Sequence, residues 1–281
     1  MPFKLYVDSR FRQDTGGSQS DAEFSIELPH PLKISGRAFV DVVLVPNTFY
    51  TTRSNDNDRI YLAETVSGTI YYRIAHIAEG QYNVATLKDA MVVALNTGKN
   101  MTGEYTVTWV EYLNKYRIGN LDTSATFKVY PKRYLKENPD VWNNAAGSAN
   151  QISAGNLMSA DLIIGFASAS SVLQGSNSVS VTAPEMPNLQ PYHQLFLRSS
   201  LGDGYSAIGP DGSSDIIRRV VMQVPINHIS VDSHGLPYDS VPVGNREISS
   251  LSFRLTDAHG KTVNTHGHHI SFSIVFIEEG E

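Results

Sequence analysis

The sequence predicts a mainly β protein: a single jelly-roll sandwich with an inserted mixed β-α-β-β domain. Three observations predict it. Short runs with period-two alternation of apolar and polar residues crowd both ends of the chain. One amphipathic helix, with short strands on either side, stands between them. No self-similar period runs through the chain, which argues against a propeller or a solenoid.

The last long stretch, residues 248–276, carries the clearest pattern. Leu251, Phe253 and Leu255 alternate with Ser252, Arg254 and Thr256. Ile270, Phe272, Ile274 and Phe276 then alternate with His269, Ser271, Ser273 and Val275. Two such runs around Asp257 and Gly260 predict an antiparallel pair, one wall of the sandwich.

From the start, residues 3–7 (FKLYV) read as a first strand, and 8–21 as a polar, Gly/Ser-rich loop. Ala22, Phe24, Ile26 and Leu28 share one face of a second strand, which Pro29 and Pro31 are expected to end. Residues 37–45 (RAFVDVVLV) are almost continuously apolar, as in a strand buried on both faces. Residues 60–62 are placed as a fourth strand of the roll. Residues 69–130 then predict a strand, a helix and three strands. The helix is expected to open at Thr86, with Asp89 completing a capping box. Leu87, Ala90, Met91, Ala94 and Leu95 form its buried face, and Gly98 its stop.

Residues 143–180 are biased: 25 of these 38 are Ala, Ser, Gly or Asn, and Asp161 is their one charge. Such a composition buries little apolar area per ordered residue, so it predicts loops that become ordered against a partner. From Tyr192 on, strands are expected over 194–198, 216–225, 229–231, 248–256 and 269–277. Four strands before the mixed unit and four or five after it suit a jelly roll. The expected division is 1–67 for the N-terminal roll strands, 68–185 for the insertion and 186–281 for the C-terminal roll strands.

The chain has 281 residues, no cysteine and a net charge of −6. The missing thiols exclude disulfides and thiolate metal sites. The acidic balance gives no strong nucleic-acid signal, because coating nucleic acid needs a basic surface. No apolar run approaches the roughly 20 residues that span a bilayer.

Six of the nine histidines, His228, His234, His259, His266, His268 and His269, fall between residues 228 and 269. His266 and His268 are two apart, as in the metal sites of cupins. Such a site also needs a carboxylate a few residues on, and the next acid is Glu278. The histidines are therefore expected at the rim, in turn hydrogen bonds. Residues 202–207 (GDGYSA) match a dinucleotide fingerprint but no helix follows. Asp56 with Asp58, and Asp211 with Asp215, read as turn acids rather than a Ca²⁺ site. Lys128, Lys132, Arg133 and Lys136 with Tyr130 and Tyr134 form a basic-aromatic patch, read as a protein contact or a solvated face. No catalytic, cofactor or metal residue is assigned, and no enzymatic activity is expected. A fibre- or lectin-like jelly roll that binds a receptor or carbohydrate is the alternative, since Tyr-rich surfaces stack on sugars.

Four segments carry a resemblance: LYVDSRFR followed by DAEFSIELPHPLKI, then FVDVVLVPNTFYT, EGQYNVATLKDAMVVALN, and the closing SLSFRLTDAHGKTVNTHGHHISFSIVF. In that order they resemble the penton-type minor capsid proteins of virophages, Polintons and polinton-like viruses. The resemblance implies a jelly-roll capsomer that forms a homopentamer at the vertices of a small double-stranded DNA virus. It implies contacts with trimers of a double-jelly-roll major capsid protein and with other minor capsid proteins. The protein would be part of the virion, assembled inside the host cell, and the inserted domain would face outward.

Overall fold

The computed structural model describes residues 3–13, 20–147, 150–153, 157–201, 208–210, 212–233 and 239–277. The chain divides into two compact units. Unit 1 comprises Met1–Phe49 and Tyr192–Glu281; unit 2 is Tyr50–Pro191.

Unit 1 holds eight principal strands among the described residues. They are β1 (Phe3–Asp8), β2 (Glu23–Ile34), β3 (Arg37–Pro46), β11 (Gln194–Ser199), β12 (Ile216–Val221), β13 (Ile229–Asp232), β15 (Arg246–Thr256) and β16 (Ser271–Ile277). A two-residue strand, β14 (Val241–Pro242), also pairs with β3. Taken in chain order, the first principal strand pairs with the eighth, the second with the seventh, the third with the sixth and the fourth with the fifth. Those four pairs are the rungs of one long double-stranded hairpin. Wrapping the hairpin adds β16 to β3 and β15 to β11. Two sheets result, β1-β16-β3-β13 and β2-β15-β11-β12. This is the jelly-roll order, and every pairing in it is antiparallel.

Alternation along each strand sends one face inward. Phe24, Val40, Val43, Leu197, Val220, Phe253, Phe272 and Ile274 meet in a shared core. The expected pairing of the last two strands is corrected here. β15 and β16 lie in different sheets and face each other across the core, with the Phe253 and Phe272 rings 4.8 Å apart. Residues 257–270 are too long for a tight hairpin and let the chain cross from one sheet to the other. Period two specifies a strand's buried face, not its partner. Asp257 does form the expected turn: its Oδ1 accepts the N–H groups of His259 and Lys261, and its own N–H donates to the Lys261 carbonyl.

Two further expectations in this unit are revised. β2 does not end at Pro29 but runs on to Ile34. Its register against β15 shifts between Glu27 and Leu32, so both prolines sit where ladder bonds are interrupted, on an edge strand. β3 is not buried on both faces. Ala38, Val40, Val43 and Val45 are buried, while Phe39, Val42 and Leu44 remain half-buried on the outward side.

Unit 2 builds a sheet β5-β4-β8-β9 from β4 (Arg59–Val66), β5 (Thr69–His76), β8 (Ala125–Val129) and β9 (Leu173–Ser176). A second sheet, β10-β7-β6, uses β6 (Tyr105–Val110), β7 (Lys115–Asn120) and β10 (Val181–Thr182). β4, placed with the roll on sequence, belongs here. Ser67 and Gly68, both at positive φ, make a two-residue turn that pairs Val66 with Thr69 and gives β4 its nearest partner. β4 is the strand covered on both faces. Ile60 and Leu62 join one core with Leu87, Met91, Tyr105 and Phe127; Tyr61 and Ala63 join another with Tyr130, Leu135 and Trp142.

The helix α1 (Val84–Asn96) buries Leu87, Met91, Ala94 and Leu95, the face the spacing predicts. It opens three residues earlier than expected. Asn83 Oδ1 accepts the Thr86 N–H at 2.9 Å and the Thr86 hydroxyl accepts the Asn83 N–H at 2.9 Å, so Asn83 is the cap and Thr86 its reciprocal partner.

Two short helices, α2 (Lys132–Glu137) and α3 (Pro139–Ala146), lead into the biased stretch and carry Leu135 and Trp142 into a core of unit 2. Within residues 143–180 the expectation is revised in part: much of the described stretch is loop, but α4 (Asp161–Ile164) forms there and Ile163, Ile164 and Phe166 are buried, while 148–149 and 154–156 lie outside the described residues. The small residues allow close approach: a Cβ on Gly175 would lie 2.4 Å from the Phe127 ring, and one on Gly165 2.4 Å from the Glu185 carbonyl. The composition that reads as loose is here used for tight packing, with a few large apolar anchors supplying buried area.

Candidate functional site

The imidazoles of His228 and His268 turn toward their own loops, that of His228 with Nδ1 3.1 Å from the Ile226 carbonyl. His268 Nδ1 lies 3.2 Å from the carbonyls of Thr265 and His266, and the His266 N–H donates to Asn264 Oδ1. His269 Nδ1 is 2.7 Å from Asp21 Oδ1, which also accepts Arg12 Nη1 at 2.7 Å. Asp21 thereby ties the start of the β1–β2 connection to the loop before β16. His234 lies outside the described residues. Among the described residues no three His, Asp or Glu side chains converge as a metal site.

The remaining sequence candidates separate in the same way. Residues 202–207 and Asp211 lie outside the described residues. Asp56 pairs with Arg53 at 2.7 Å, Asp58 with His76 at 2.9 Å, and Asp215 with Arg198 at 2.7 Å. In the basic-aromatic patch the rings are not offered to a ligand. Tyr130 is buried with its ring 5.3 Å from Trp142, and Tyr134 packs on Tyr130. Arg133 reaches Glu137 at 3.6 Å on the solvent side.

Two charged groups in unit 2 escaped the sequence reading. Glu64 on β4 is fully buried. Its Oε1 accepts Arg73 Nε at 2.7 Å and the Tyr105 hydroxyl at 3.0 Å, and its Oε2 accepts the Asn100 N–H at 2.7 Å. The Arg73 guanidinium continues to the carbonyls of Leu95 and Thr97, at the C-terminal end of α1. It thus satisfies last-turn carbonyls and places positive charge at the negative helix end. Burial, and then the neighbouring Glu64 charge, push the Tyr105 phenol well above its usual range. The pairing of Glu64 with Arg73 across the β4–β5 hairpin is visible only once the hairpin register, Leu62 against Arg73, is known.

Asp161 is the second. Its carboxylate accepts the Lys132 N–H at the start of α2. Burial pushes its pKa up to about 6, against the opposing effect of the Lys132 N–H and the Ser159 hydroxyl. The folded state therefore holds a proton that the unfolded chain releases near 3.8. Stability from this group is greatest below the unfolded value and falls as pH rises to about 6. A pKa raised by roughly two units corresponds to about 3 kcal/mol. Asp161→Asn is expected to flatten that fall, read as the urea midpoint of the tryptophan transition between about pH 4 and pH 6. An unchanged slope in the variant counts against a buried, late-titrating carboxyl.

The surface of the roll offers the arrangement with most capacity for binding. The outward face of β2-β15-β11-β12 is polar, with Glu23, Arg198, Asp215 and Arg254 around a shallow cleft. The outward face of β1-β16-β3-β13 is apolar in character. Tyr6 on β1 is 76% exposed, Ile229 and Val231 on β13 are 57% and 58% exposed, and Val42 and Leu44 lie on β3 between them. A groove of about 630 Å³ runs beside β1, lined by Leu5, Tyr6, Phe11, Ile26, Leu28 and Leu44 among others. A cleft of about 680 Å³ opens at the opposite edge, between β12 and β13. At its base Arg218 pairs with Asp232 at 2.7 Å and Asp239 at 3.3 Å.

No family model matches the chain, and no curated protein does. Among solved structures it is similar to the mavirus penton protein, known from a crystal structure of its selenomethionine-labelled form. That similarity has a TM-score of 0.47 at 8% sequence identity and covers 98% of this chain and 99% of that one.

Proposed function

We infer that the chain is a penton capsid protein, a structural subunit that forms a homopentamer at the vertices of a small double-stranded DNA virus. The observation that carries this reading is where the four resembling segments fall. LYVDSRFR runs along β1 and DAEFSIELPHPLKI along β2. FVDVVLVPNTFYT follows β3 to the point where unit 2 begins, and EGQYNVATLKDAMVVALN leads into α1 and forms it. SLSFRLTDAHGKTVNTHGHHISFSIVF spans β15, the crossing loop and β16. The resemblance therefore sits on the strands that build the roll, on the exit from it and on the helix of unit 2.

In this reading unit 2 is an outward domain inserted between the third and fourth roll strands, and unit 1 meets its neighbours and the major capsid protein. The physical requirement is a subunit with two different contact surfaces, because a five-membered ring closes by heterologous contacts. The protein works by shape and contact, with no turnover. The mass of the purified chain in solution, alone and mixed with double-jelly-roll major capsid protein, tests the reading. Five chains per particle is the expected result. One chain per particle under both conditions overturns it.

A further inference from the structure

We propose that α4 is an acid-fastened clip inside unit 2. With Asp161 protonated, α4 holds residues 183–189 in place; with Asp161 charged, α4 and that segment open far more often. The proposal concerns unit 2 alone and stands whether or not the chain forms pentamers.

The position of α4 makes it a clip. A helix of four residues does not hold itself, so its contacts hold it. The Ala160 N–H donates to the Arg59 carbonyl at 2.8 Å, and Ile163, Ile164 and Phe166 are buried. The helix and the glycine after it hold in turn the segment by which the chain leaves unit 2 at Pro191. The Leu162 carbonyl accepts the Asn188 N–H and the Gly165 carbonyl accepts the Glu185 N–H, each at 3.0 Å. Displacing α4 therefore frees residues 185 and 188 together.

The first residue of α4 is the weak point. Among the described residues of unit 2, Asp58, Glu64, Asp122 and Asp161 are the buried carboxylates. Asp122 accepts the N–H groups of Thr102, Gly103 and Ser124 and the hydroxyls of Thr102 and Ser124. Glu64 has Arg73, the Tyr105 hydroxyl and Asn100, and Asp58 has His76 at 2.9 Å. Asp161 accepts one backbone N–H, that of Lys132, and no arginine or histidine lies on it. A charged carboxylate with so few donors is costly to bury, whereas its neutral form is not. The charged groups around it are Lys132 and Lys136 on α2, Asp56 and Asp58 before β4, and Arg59 on β4 beside the Tyr61 phenol. Of these, Lys132 is the one that favours the charged form of Asp161.

The direction follows from proton linkage. In the closed form burial keeps the Asp161 proton on up to about pH 6, while a solvated carboxyl releases it near 3.8. Opening thus releases a proton, and each step of one pH unit between those values makes it about tenfold easier. Above about pH 6 the dependence is flat, because both forms are then charged.

Hydrogen-exchange protection factors for residues 159–166 and 183–189, measured in the full chain at pH 4.5 and pH 7, test this. Native protection is expected to fall at least about tenfold over that interval. Asp161→Asn stays neutral and still offers an oxygen to the Lys132 N–H, so its protection should change less than about threefold. At pH 7 both native segments should be at least about tenfold less protected than α1, since local opening precedes global unfolding. Lys132→Met keeps the backbone donor and removes the ammonium, which should move the midpoint of the native transition to higher pH. Native protection that does not change with pH, or an equal fall in Asp161→Asn, overturns the clip. So do segments as protected as α1 at pH 7, or a midpoint that Lys132→Met leaves in place or lowers.

Discussion

Arg73→Met is expected to destabilise unit 2 by about 3–5 kcal/mol, the range for removing one partner of a buried ion pair. Three losses coincide at this residue. Glu64 is left as a fully buried carboxylate with only the Tyr105 hydroxyl and Asn100 as donors. The carbonyls of Leu95 and Thr97 lose their donor at the end of α1. The Tyr105 ring loses the guanidinium that lies 5.5 Å from its centroid. Combining Arg73→Met with Glu64→Leu is expected to recover part of the loss, since no unpaired charge then remains buried. Both tryptophans, Trp109 and Trp142, lie in unit 2, so denaturant unfolding followed by tryptophan fluorescence reports on this unit directly. A loss under about 1 kcal/mol would mean that Glu64 stays solvated in the variant, and the buried-pair account would fail.

Phe253→Ala should cost the roll about 3–5 kcal/mol, the usual penalty for truncating a buried phenylalanine. Phe253 projects from β15 into the space between the sheets. Its ring lies 4.8 Å from Phe272 of the facing sheet and 5.7 Å from Phe24 of the neighbouring strand. Truncation therefore empties volume where both sheets meet, and close packing leaves little freedom to refill it. The adjacent Ser252 is exposed on the opposite face, and Ser252→Ala is expected to stay within about 0.5 kcal/mol of the native chain. Hydrogen exchange along β15 and β16 resolves the two cases. Equal effects at 252 and 253 would refute the assignment of inward and outward faces.

Much of unit 1 is legible in the sequence because period two reports burial directly. The faces of β1, β2, β15 and β16 follow from alternation, and the core side chains Phe24, Ile26, Leu251, Phe253, Phe272 and Ile274 are those the pattern selects. The buried face of α1 follows in the same way from a period of 3.6. Where the pattern misleads, the physical causes differ. RAFVDVVLV looks doubly buried because its outward residues are apolar as well, yet nothing among the described residues fully covers Phe39, Val42 and Leu44. Residues 143–180 look loose because small side chains carry little hydrophobic signal. Their contribution is close backbone approach, as at Gly165 and Gly175, and that depends on what lies opposite.

The candidate contact surface divides along the same line. Its residue types can be read from the chain, but Tyr6 and Val231 become opposite edges of one sheet only through pairings that join sequence positions far apart. The same holds for Glu64 and Arg73, which β-hairpin register brings together, and for Asp161, which caps a helix that begins 29 residues earlier. Local periodicity by itself determined which residues face inward, because burial acts on each strand or helix separately. Tertiary structure alone decided which strands are neighbours and which charges are paired. Those outcomes depend on long-range pairing, where many partners satisfy the same alternating pattern and only the packed whole selects among them.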